Sequence, residues 1–374
     1  MKKIQFLVII LVSNLFFAQQ NFELHFKSKH FIKDSLMFGT PMSRSGFEEM
    51  YHFKIEPNNN VVNLAEKMGF PLTTYLISVQ NENLLKGSLD YPIPVAMMHV
   101  NMKERKQLMS ELFYIEKGKY EFEMPDLSSS RSVEIASPTN EENKRFKTIL
   151  AEVYKKVEKP FPHDSLLNFD KKQEILSSYI RKNPKSYVAL WEIINDYTNY
   201  NFNPIYFKHL ELFSKDFKKN SLYQKFREKL IAEKESMVGQ QFPDIDLDGQ
   251  NKLTLSNFKK YKLTFIDYWS TSCAPCINNM PEIVYLYNEF KDKNINFISI
   301  ADESKADRVK LANEILTKNN IQWINFFDIN KDFAKKVNAT GYPLHFIINS
   351  DGTIIERNFG DLEKIKEILS EHTK

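Results

Sequence analysis

The stretch YKLTFIDYWSTSCAPC, residues 261–276, contains both cysteines of a chain of 374 residues. Its first part, YKLTFIDYW, is apolar on both faces of an extended chain, as a strand buried on both sides is. Pro275 lies between the cysteines and suits the first turn of a helix. We therefore predict a buried strand, a turn that carries Cys273, and a helix from about Ala274 to Lys293.

The sequence around this stretch predicts an α/β domain over residues 236–374. FPDIDLDGQNKLTLSNF upstream is typical of two short strands joined by an Asp-Gly turn. Downstream we predict a strand at NINFISIAD, a helix near 305–318, a strand at LHFIIN, a second Asp-Gly turn, a strand at TIIERNF and a final helix from Asp361. This order gives a mixed sheet with helices on both faces.

Two further regions precede this domain. For residues 19–137 we predict a β-rich, sandwich-like domain, because NFELHFKS and KYEFEM alternate apolar and polar side chains. For residues 138–235 we predict a helical connecting segment. Its apolar residues recur at spacings of three and four, beginning in SPTNEENKRFKTILAEVYKKV, residues 137–157.

The first 18 residues resemble a secretory signal peptide. Lys2 and Lys3 precede an apolar run, and Ala18 offers a cleavage site before Gln19. The run is shorter than the about 20 apolar residues that span a bilayer, and a retained anchor is the alternative. No second apolar run of spanning length follows, so we expect no stable membrane insertion after cleavage.

The charge of the chain excludes an obvious polyanion partner. The formal net charge is +3, and the lysines are spread among Asp and Glu rather than concentrated on one stretch. Nucleic-acid-binding domains usually have a concentrated basic face. We therefore expect no nucleic-acid partner.

Three roles are open to the cysteine pair, namely a structural staple, half of a zinc site, or a reacting dithiol. A disulfide that closes a loop of four residues stabilises a fold by only about 2 kcal/mol. A structural zinc site needs a second pair of ligands, and the chain has no other cysteine. A reacting pair needs a stabilised thiolate and a second thiol close by, and the spacing of Cys273 and Cys276 meets both needs. We therefore expect no metal or other cofactor at this pair.

The helix start assigns different roles to the two thiols. Cys273 is predicted at the helix N-terminus, where free backbone N–H groups and the helix dipole favour a thiolate, so it is the expected nucleophile. Cys276 lies one turn further on and would attack the mixed disulfide to release the reduced partner. Asp267 is the one charge in the apolar run, and an ionised carboxylate there is costly without a partner. An exposed strand edge is the alternative position for it.

FIDYWSTSCAPC, with GYPLHFIINSDGTI about seventy residues later, resembles the thioredoxin fold in its extracytoplasmic TlpA-like form. The resemblance covers roughly residues 236–374, and the β-rich region resembles extensions that precede such domains in envelope proteins. It implies that Asp267 takes the proton of Cys276. It also implies a cis peptide bond at Pro343 that exposes backbone for a partner.

The resemblance further implies which residues surround the reacting pair. Trp269 is expected to pack beneath the motif, and Trp269, Ala274, Pro275 and Tyr342 are the expected substrate-binding residues. The sequence departs from the family at Ser272, Leu344 and Asn279, which replace a tryptophan, a threonine and a glutamate. His345 lies two residues past Pro343, and we expect it to contact Asp267 or the cysteines, a buried core histidine being the alternative.

We therefore expect a periplasmic thiol-disulfide oxidoreductase. Its expected partners are protein thiols and disulfides of the cell envelope and an upstream membrane electron donor. A reducing role in disulfide repair or cytochrome c maturation is favoured over an oxidising one. The alternatives are a Cu(I)-binding metallochaperone-like module and a thiol peroxidase, although Ser270 stands where the peroxidase pattern has threonine.

One other cluster has residue types that bind soft metals. PVAMMHVNM contains Met97, Met98, His99 and Met102, which lie close together in sequence. Methionines more often fill gaps in an apolar core. Both interpretations stay open at the level of the sequence.

Overall fold

A computed structural model describes residues 20–40, 47–68, 73–101, 106–157 and 163–373. Contacts divide the chain into two compact units. The first unit consists of the described parts of residues 1–41 and 51–145, and the second of the described parts of residues 42–50 and 146–374. The predicted signal peptide, residues 1–18, lies outside the described residues. Within the ranges just given, no helix is long and apolar enough to cross a membrane.

The first unit is built from short strands and one short helix. They are β1 (Gln20–Ser28), β2 (Ser35–Gly39), β3 (Phe53–Ile55), β4 (Val61–Asn63), α1 (Leu64–Met68), β5 (Thr74–Ser78), β6 (Glu82–Leu89), β7 (Ile93–Asn101), β8 (Lys106–Met109), β9 (Phe113–Ile115) and β10 (Gly118–Met124). Four of them form a sheet in the order β10-β1-β6-β3. The others form a sheet in the order β4-β5-β2-β7-β8, with β9 also paired to β7.

The two sheets of the first unit share an aromatic core. Phe38 of β2 packs against Phe53 of β3, with ring centroids 5.6 Å apart. Phe113 of β9 likewise packs against Phe122 of β10 at 6.0 Å. Because each sheet is apolar on the face toward this core, the predicted β-rich, sandwich-like domain is confirmed.

The second unit begins with helices around a short hairpin. Its elements are α2 (Pro138–Leu150), β11 (Tyr154–Val157), β12 (His163–Leu166), α3 (Phe169–Lys182), α4 (Tyr187–Tyr200), α5 (Ile205–Leu212) and α6 (Ser221–Glu235). The boundary between the units falls within α2, whose residues up to Arg145 belong to the first unit. The helical periodicity of 137–157 holds only as far as Leu150, because Tyr154–Val157 pairs with β12 as a strand.

A charged network lies in the interior of this helical segment. The ammonium group of Lys172 is fully buried and contacts the carboxylates of Asp196 and Glu192. The Gln173 amide donates to Asp196 at 2.7 Å. His209 continues the network, with Nε2 3.2 Å from the Gln173 carbonyl oxygen. Burial alone would lower the pKa of Lys172, but the two carboxylates raise it.

The thioredoxin-like region follows in the same unit. Its elements are β13 (Ile245–Asp246), β14 (Lys252–Leu253), α7 (Leu255–Phe258), β15 (Leu263–Trp269), α8 (Ala274–Phe290), β16 (Ile295–Ala301), α9 (Ala306–Lys318), β17 (Ile324–Phe327), α10 (Asp332–Lys336), β18 (Leu344–Asn349), β19 (Ile354–Asn358) and α11 (Leu362–Glu371). The sheet order is β17-β16-β15-β18-β19. Strands β15, β16 and β17 run parallel, and β18 and β19 run antiparallel to their neighbours. This confirms the predicted mixed sheet.

The two faces of this sheet bury different sets of residues. Phe265 and Ile347 share a core with Ile283 of α8 and Ile365 of α11. The residues between these along the strands, such as Tyr268, point to the other face of the sheet and pack with α10. Because side chains alternate along a strand, Asp267 and His345 point to the α8 side.

The pH dependence of stability should depend on His209. Burial lowers the pKa of His209 from 6.5 to about 4. The unfolded chain therefore takes up a proton at this residue as the pH falls below about 6.5, whereas the folded chain does not. The stability that neutral His209 provides is present above pH 6.5 and decreases by up to about 3 kcal/mol toward pH 4.

The free energy of unfolding in urea is compared between pH 7 and pH 4.5. We expect its decrease to be smaller in His209→Phe, because the contribution of His209 is removed. His372→Phe, at a partly exposed position of the same unit, serves as the control. Asp196 acts in the opposite direction, since burial raises its pKa to about 6. Asp196 is present in both chains, so the difference in pH dependence between the parent chain and His209→Phe gives the contribution of the histidine. An unchanged pH dependence in His209→Phe would contradict the prediction.

Candidate active site

The cysteines lie at the edge of the sheet where several chain segments meet. Strands β15 and β16 are parallel, so their carboxyl ends reach the same edge. The turn to α8, with Cys273, leaves from the end of β15. Strand β18 runs the other way and begins at this edge, with Leu344 opposite Tyr268. The segment that contains Pro343 therefore enters the sheet beside the cysteine turn.

A disulfide joins Cys273 and Cys276, whose Cα atoms are 5.3 Å apart. Cys273 is the N-cap residue of α8, which begins at Ala274 as predicted. The first cysteine is 8% exposed and the second 2% exposed. Cys273 is therefore the more accessible of the two residues, although both are mostly buried.

The helix start provides a donor for the first sulfur. The Cys276 backbone N–H donates to Cys273 Sγ over 3.1 Å. When the disulfide is reduced, this N–H and the dipole of α8 favour a thiolate at Cys273 over one at Cys276. The geometry therefore supports Cys273 as the nucleophile.

The two cysteines pack in a small apolar cluster. Trp269 is 1% exposed and packs in one cluster with both cysteines and Met280. Ala274 is exposed, as is Pro275 in the first turn of α8. The structure thus brings Trp269 to the cysteines as packing, while Ala274 and Pro275 offer the surface that a partner could contact.

The segment beside the cysteine turn, which contains Tyr342 and Pro343, is fixed by a hydrogen bond. The Tyr342–Pro343 peptide bond is cis, as predicted. The Tyr342 hydroxyl donates to the carboxylate of Asp302, which follows β16. Burial raises the pKa of Tyr342 to about 12, so the hydroxyl keeps its proton and remains a donor at neutral pH.

Asp267 lies in the centre of the sheet and is 3% exposed. Its Oδ1 is 3.4 Å from Nε2 of His345, the residue directly opposite on β18. Ser299 of β16 donates to Oδ2 at 3.4 Å. The prediction that His345 contacts Asp267 is confirmed, and the exposed-edge alternative for Asp267 is wrong.

The contacts of this acid are weak for a buried carboxylate. Within the part of the chain that the structure describes, Asp267 Oδ1 and both ring nitrogens of His345 lack a partner in hydrogen-bond geometry. Both side chains point to the α8 side, where Cys276 lies. Asp267 therefore faces the side of the sheet that holds Cys276.

The sequence did not reveal Glu303, which holds the turn before Cys273. Its Oε1 accepts from the Thr271 backbone N–H at 2.7 Å, the Thr271 hydroxyl at 2.6 Å and the Ser270 hydroxyl at 3.0 Å. Arg308 lies 3.5 Å from the other oxygen. The signal that could have found it is its place two residues after a strand parallel to β15.

Another buried acid, Asp328, follows β17 at the same edge. Asp328 is fully buried, accepts from the Tyr268 hydroxyl at 3.0 Å and caps α10 by accepting from the backbone of Phe333 and Ala334, both at 3.1 Å. Burial raises the pKa of Asp328. This acid fixes β15 against α10 and has no contact with the cysteines among the hydrogen bonds described.

The fold and the paired cysteines define a protein of the thioredoxin class that carries a CxxC disulfide. The Redoxin family model matches residues 237–370. Thiol-disulfide oxidoreductase ResA of Bacillus cereus is 32% identical over 154 residues, which cover 38% of this chain and 80% of the relative. Thioredoxin-like protein YneN of Bacillus subtilis is 30% identical over 155 residues, covering 38% and 82%.

A crystal structure of the thioredoxin domain of a thiol-disulfide oxidoreductase from Bacteroides vulgatus is also similar. It has 18% sequence identity and a TM-score of 0.31, and covers 37% of this chain and 97% of that chain. On the similarity to the Bacillus relatives, the chain belongs to the family of ResA-type thiol-disulfide oxidoreductases. The matched region contains Cys273 and Cys276, and the chain is an enzyme of this class.

Loss of the Glu303 carboxylate should loosen the turn before the nucleophile. In Glu303→Ala the buried Thr271 N–H loses its charged acceptor, and the hydroxyls of Ser270 and Thr271 lose theirs as well. We expect the free energy of unfolding to fall by about 2 kcal/mol. We also expect disulfide exchange with a protein substrate to slow several-fold, because Cys273 loses its fixed position.

Glu314→Ala, an exposed acid on α9, is the control and should leave both quantities unchanged. Urea unfolding and the rate of insulin disulfide reduction measure the two effects. An exchange rate in Glu303→Ala equal to that of the parent chain would show that this carboxylate does not position the nucleophile.

Proposed function

We propose that this protein is exported and acts in the periplasm as a reductant of protein disulfides. The observation that carries the reducing role is that Cys276 lies over the face of the sheet that holds Asp267, while Cys273 at the helix N-terminus is the sulfur that attacks. A carboxylate on this side disfavours a second negative charge on Cys276. That destabilises the fully ionised dithiol and favours the disulfide, which makes the reduced protein a donor of electrons.

The reaction follows from these positions. The Cys273 thiolate attacks one sulfur of a partner disulfide, forming a mixed disulfide and releasing the other partner sulfur as a thiolate. Cys276 gives its proton to Asp267, and its thiolate attacks Cys273 Sγ. The second partner sulfur leaves, and the Cys273–Cys276 disulfide forms. Two electrons have passed to the partner, and an upstream membrane donor must return them.

The sequence supports the location and the class of partner. Lys2, Lys3 and the apolar run after them resemble an export signal. In an oxidising compartment further thiols could mispair with a reacting pair, and this chain has no others. The proposed partners are envelope proteins with accessible disulfides, including the haem-attachment cysteines of apocytochrome c.

The reduction potential of the Cys273–Cys276 pair tests the direction. We expect a value near that of thioredoxin, about −270 mV, rather than that of a strong oxidant such as DsbA, about −120 mV. The measurement is a titration in a defined thiol-disulfide buffer, read from tryptophan fluorescence because Trp269 packs with the pair. A potential above about −150 mV would overturn the reducing role.

The proton-accepting role of Asp267 is tested on the second step of the reaction. In Asp267→Asn the Cys276 thiol loses its base, so we expect the mixed disulfide to be resolved at least about tenfold more slowly near pH 7. The difference should shrink toward pH 9, where the thiol ionises without help. Single-turnover reactions of the reduced protein with a disulfide substrate measure this rate.

The Cys276→Ser variant lacks the resolving thiol and serves as the reference in which the mixed disulfide is not resolved. The same variant can be used to capture the natural partners as mixed disulfides. Asp361→Asn, an exposed helix cap far along the chain, is the control for removal of one carboxylate. A resolution rate in Asp267→Asn that matches the parent chain from pH 6 to 9 would remove Asp267 from the mechanism.

A further inference from the structure

Three methionines form a row across the larger sheet of the first unit. Met37 on β2 lies opposite Met98 on β7, and Met98 lies opposite Met109 on β8. All three strands are antiparallel to their neighbours. Because opposite residues in antiparallel strands point to the same face, the three thioether side chains share one face of the sheet.

This row lies on the outer face. Phe38 and Met97, which alternate with the row along β2 and β7, are fully buried in the core. Met37 and Met98 are half-buried, and Met109 is 40% exposed. The row is therefore open to solvent at the β8 end.

The spacing of the row suits convergence on one point. Neighbouring strands lie about 4.8 Å apart, so the backbones that carry Met37 and Met109 are about 10 Å apart, with Met98 midway. Each sulfur lies two bonds beyond its Cβ on a flexible side chain. The Gln107 amide contacts Met98 Sδ, which places the central sulfur at the outer surface beside β8.

The chemistry of three thioethers is specific. Thioether sulfur is neutral, soft and polarisable, so it binds hard cations such as Mg²⁺ and Ca²⁺ poorly and selects Cu(I). We propose that Met37, Met98 and Met109 bind one soft monovalent cation, Cu(I) or its analogue Ag(I), on the outer face of the β-rich unit. Nothing in the disulfide chemistry of the cysteine pair requires this site.

The structure also corrects the cluster suggested by the sequence. Met97 points into the core, and His99 Nε2 pairs with Asp34 at 2.7 Å. Met102 lies outside the described residues. Of that cluster only Met98 belongs to the row; Met109 comes from the next strand, and Met37 comes from a strand that is distant in sequence.

The row is continued by Leu76 of β5, opposite Met37, and by Val62 of β4, opposite Leu76. Leucine and valine fill the other positions of this row, so packing alone does not require sulfur at Met37, Met98 and Met109. Replacing methionine by leucine separates the two properties, since leucine keeps the apolar volume and removes the ligand atom.

The test uses the full chain with Cys273→Ser and Cys276→Ser, so that thiols do not bind the probe. Ag(I) is titrated calorimetrically in chloride-free buffer, and Cu(I) is competed anaerobically against a chromogenic chelator. We expect one equivalent of either ion. Met98→Leu, Met37→Leu and Met109→Leu should each weaken its affinity by more than about tenfold.

Met97→Leu is the matched control, because it makes the same change at the neighbouring residue that faces the core. It should leave the Ag(I) affinity unchanged. Equal affinity of the parent and Met98→Leu chains would overturn the site, as would a loss in Met98→Leu alone without losses at Met37 and Met109. Since the tested chain has no cysteines, neither result bears on the proposed reducing function.

Discussion

The active site depends on the direction of three strands. Because β15, β16 and β17 run parallel, their carboxyl ends reach one edge of the sheet, and the residues that follow them meet there. The turn to Cys273 follows β15, Glu303 follows β16 and Asp328 follows β17. The antiparallel β18 starts at the same edge, which brings Pro343 beside the cysteine turn. Reversal of any of these strands would separate the groups.

Two buried carboxylates of this region differ in the number of hydrogen bonds that they accept. Glu303 accepts three hydrogen bonds on one oxygen, so its negative charge is stabilised where it is and the turn around Thr271 is fixed. Asp267 has only a long contact with Ser299 and a neighbour in His345, both at 3.4 Å. Glu303 therefore suits positioning of the turn, and Asp267 is the acid to which the proposed function assigns proton transfer.

Local signals in the sequence were sufficient for the strand, the helix start and the cysteine pair, because each depends on neighbours within a few residues. Asp267 could also be predicted, since a lone charge in an apolar run stands out. Glu303 could not, because the donors in the turn lie more than thirty residues away in sequence and an acid after a strand is common. The strand at Tyr154–Val157 was missed for a related reason, since pairing with β12 overrides a helical spacing of apolar residues. The methionine row depends on the register of three strands, which no single stretch of sequence contains.

The helical segment forms hydrogen bonds with the edge of the sheet that carries the cis peptide bond. Glu233 of α6 accepts from Arg357 of β19 at 2.6 Å and from Asn338 at 2.8 Å, in the segment that leads to Tyr342. Arg357 also donates to the Val337 carbonyl at 3.1 Å. The backbone before the cis peptide bond is thus fixed from the α6 side, while Tyr342 itself is fixed by Asp302. Under the proposed function, a partner segment that pairs at this edge would meet a backbone that these hydrogen bonds already fix, so little ordering entropy would be lost there on binding. Through these hydrogen bonds the helical segment fixes the backbone to which the proposed function assigns partner binding, rather than serving as a passive linker.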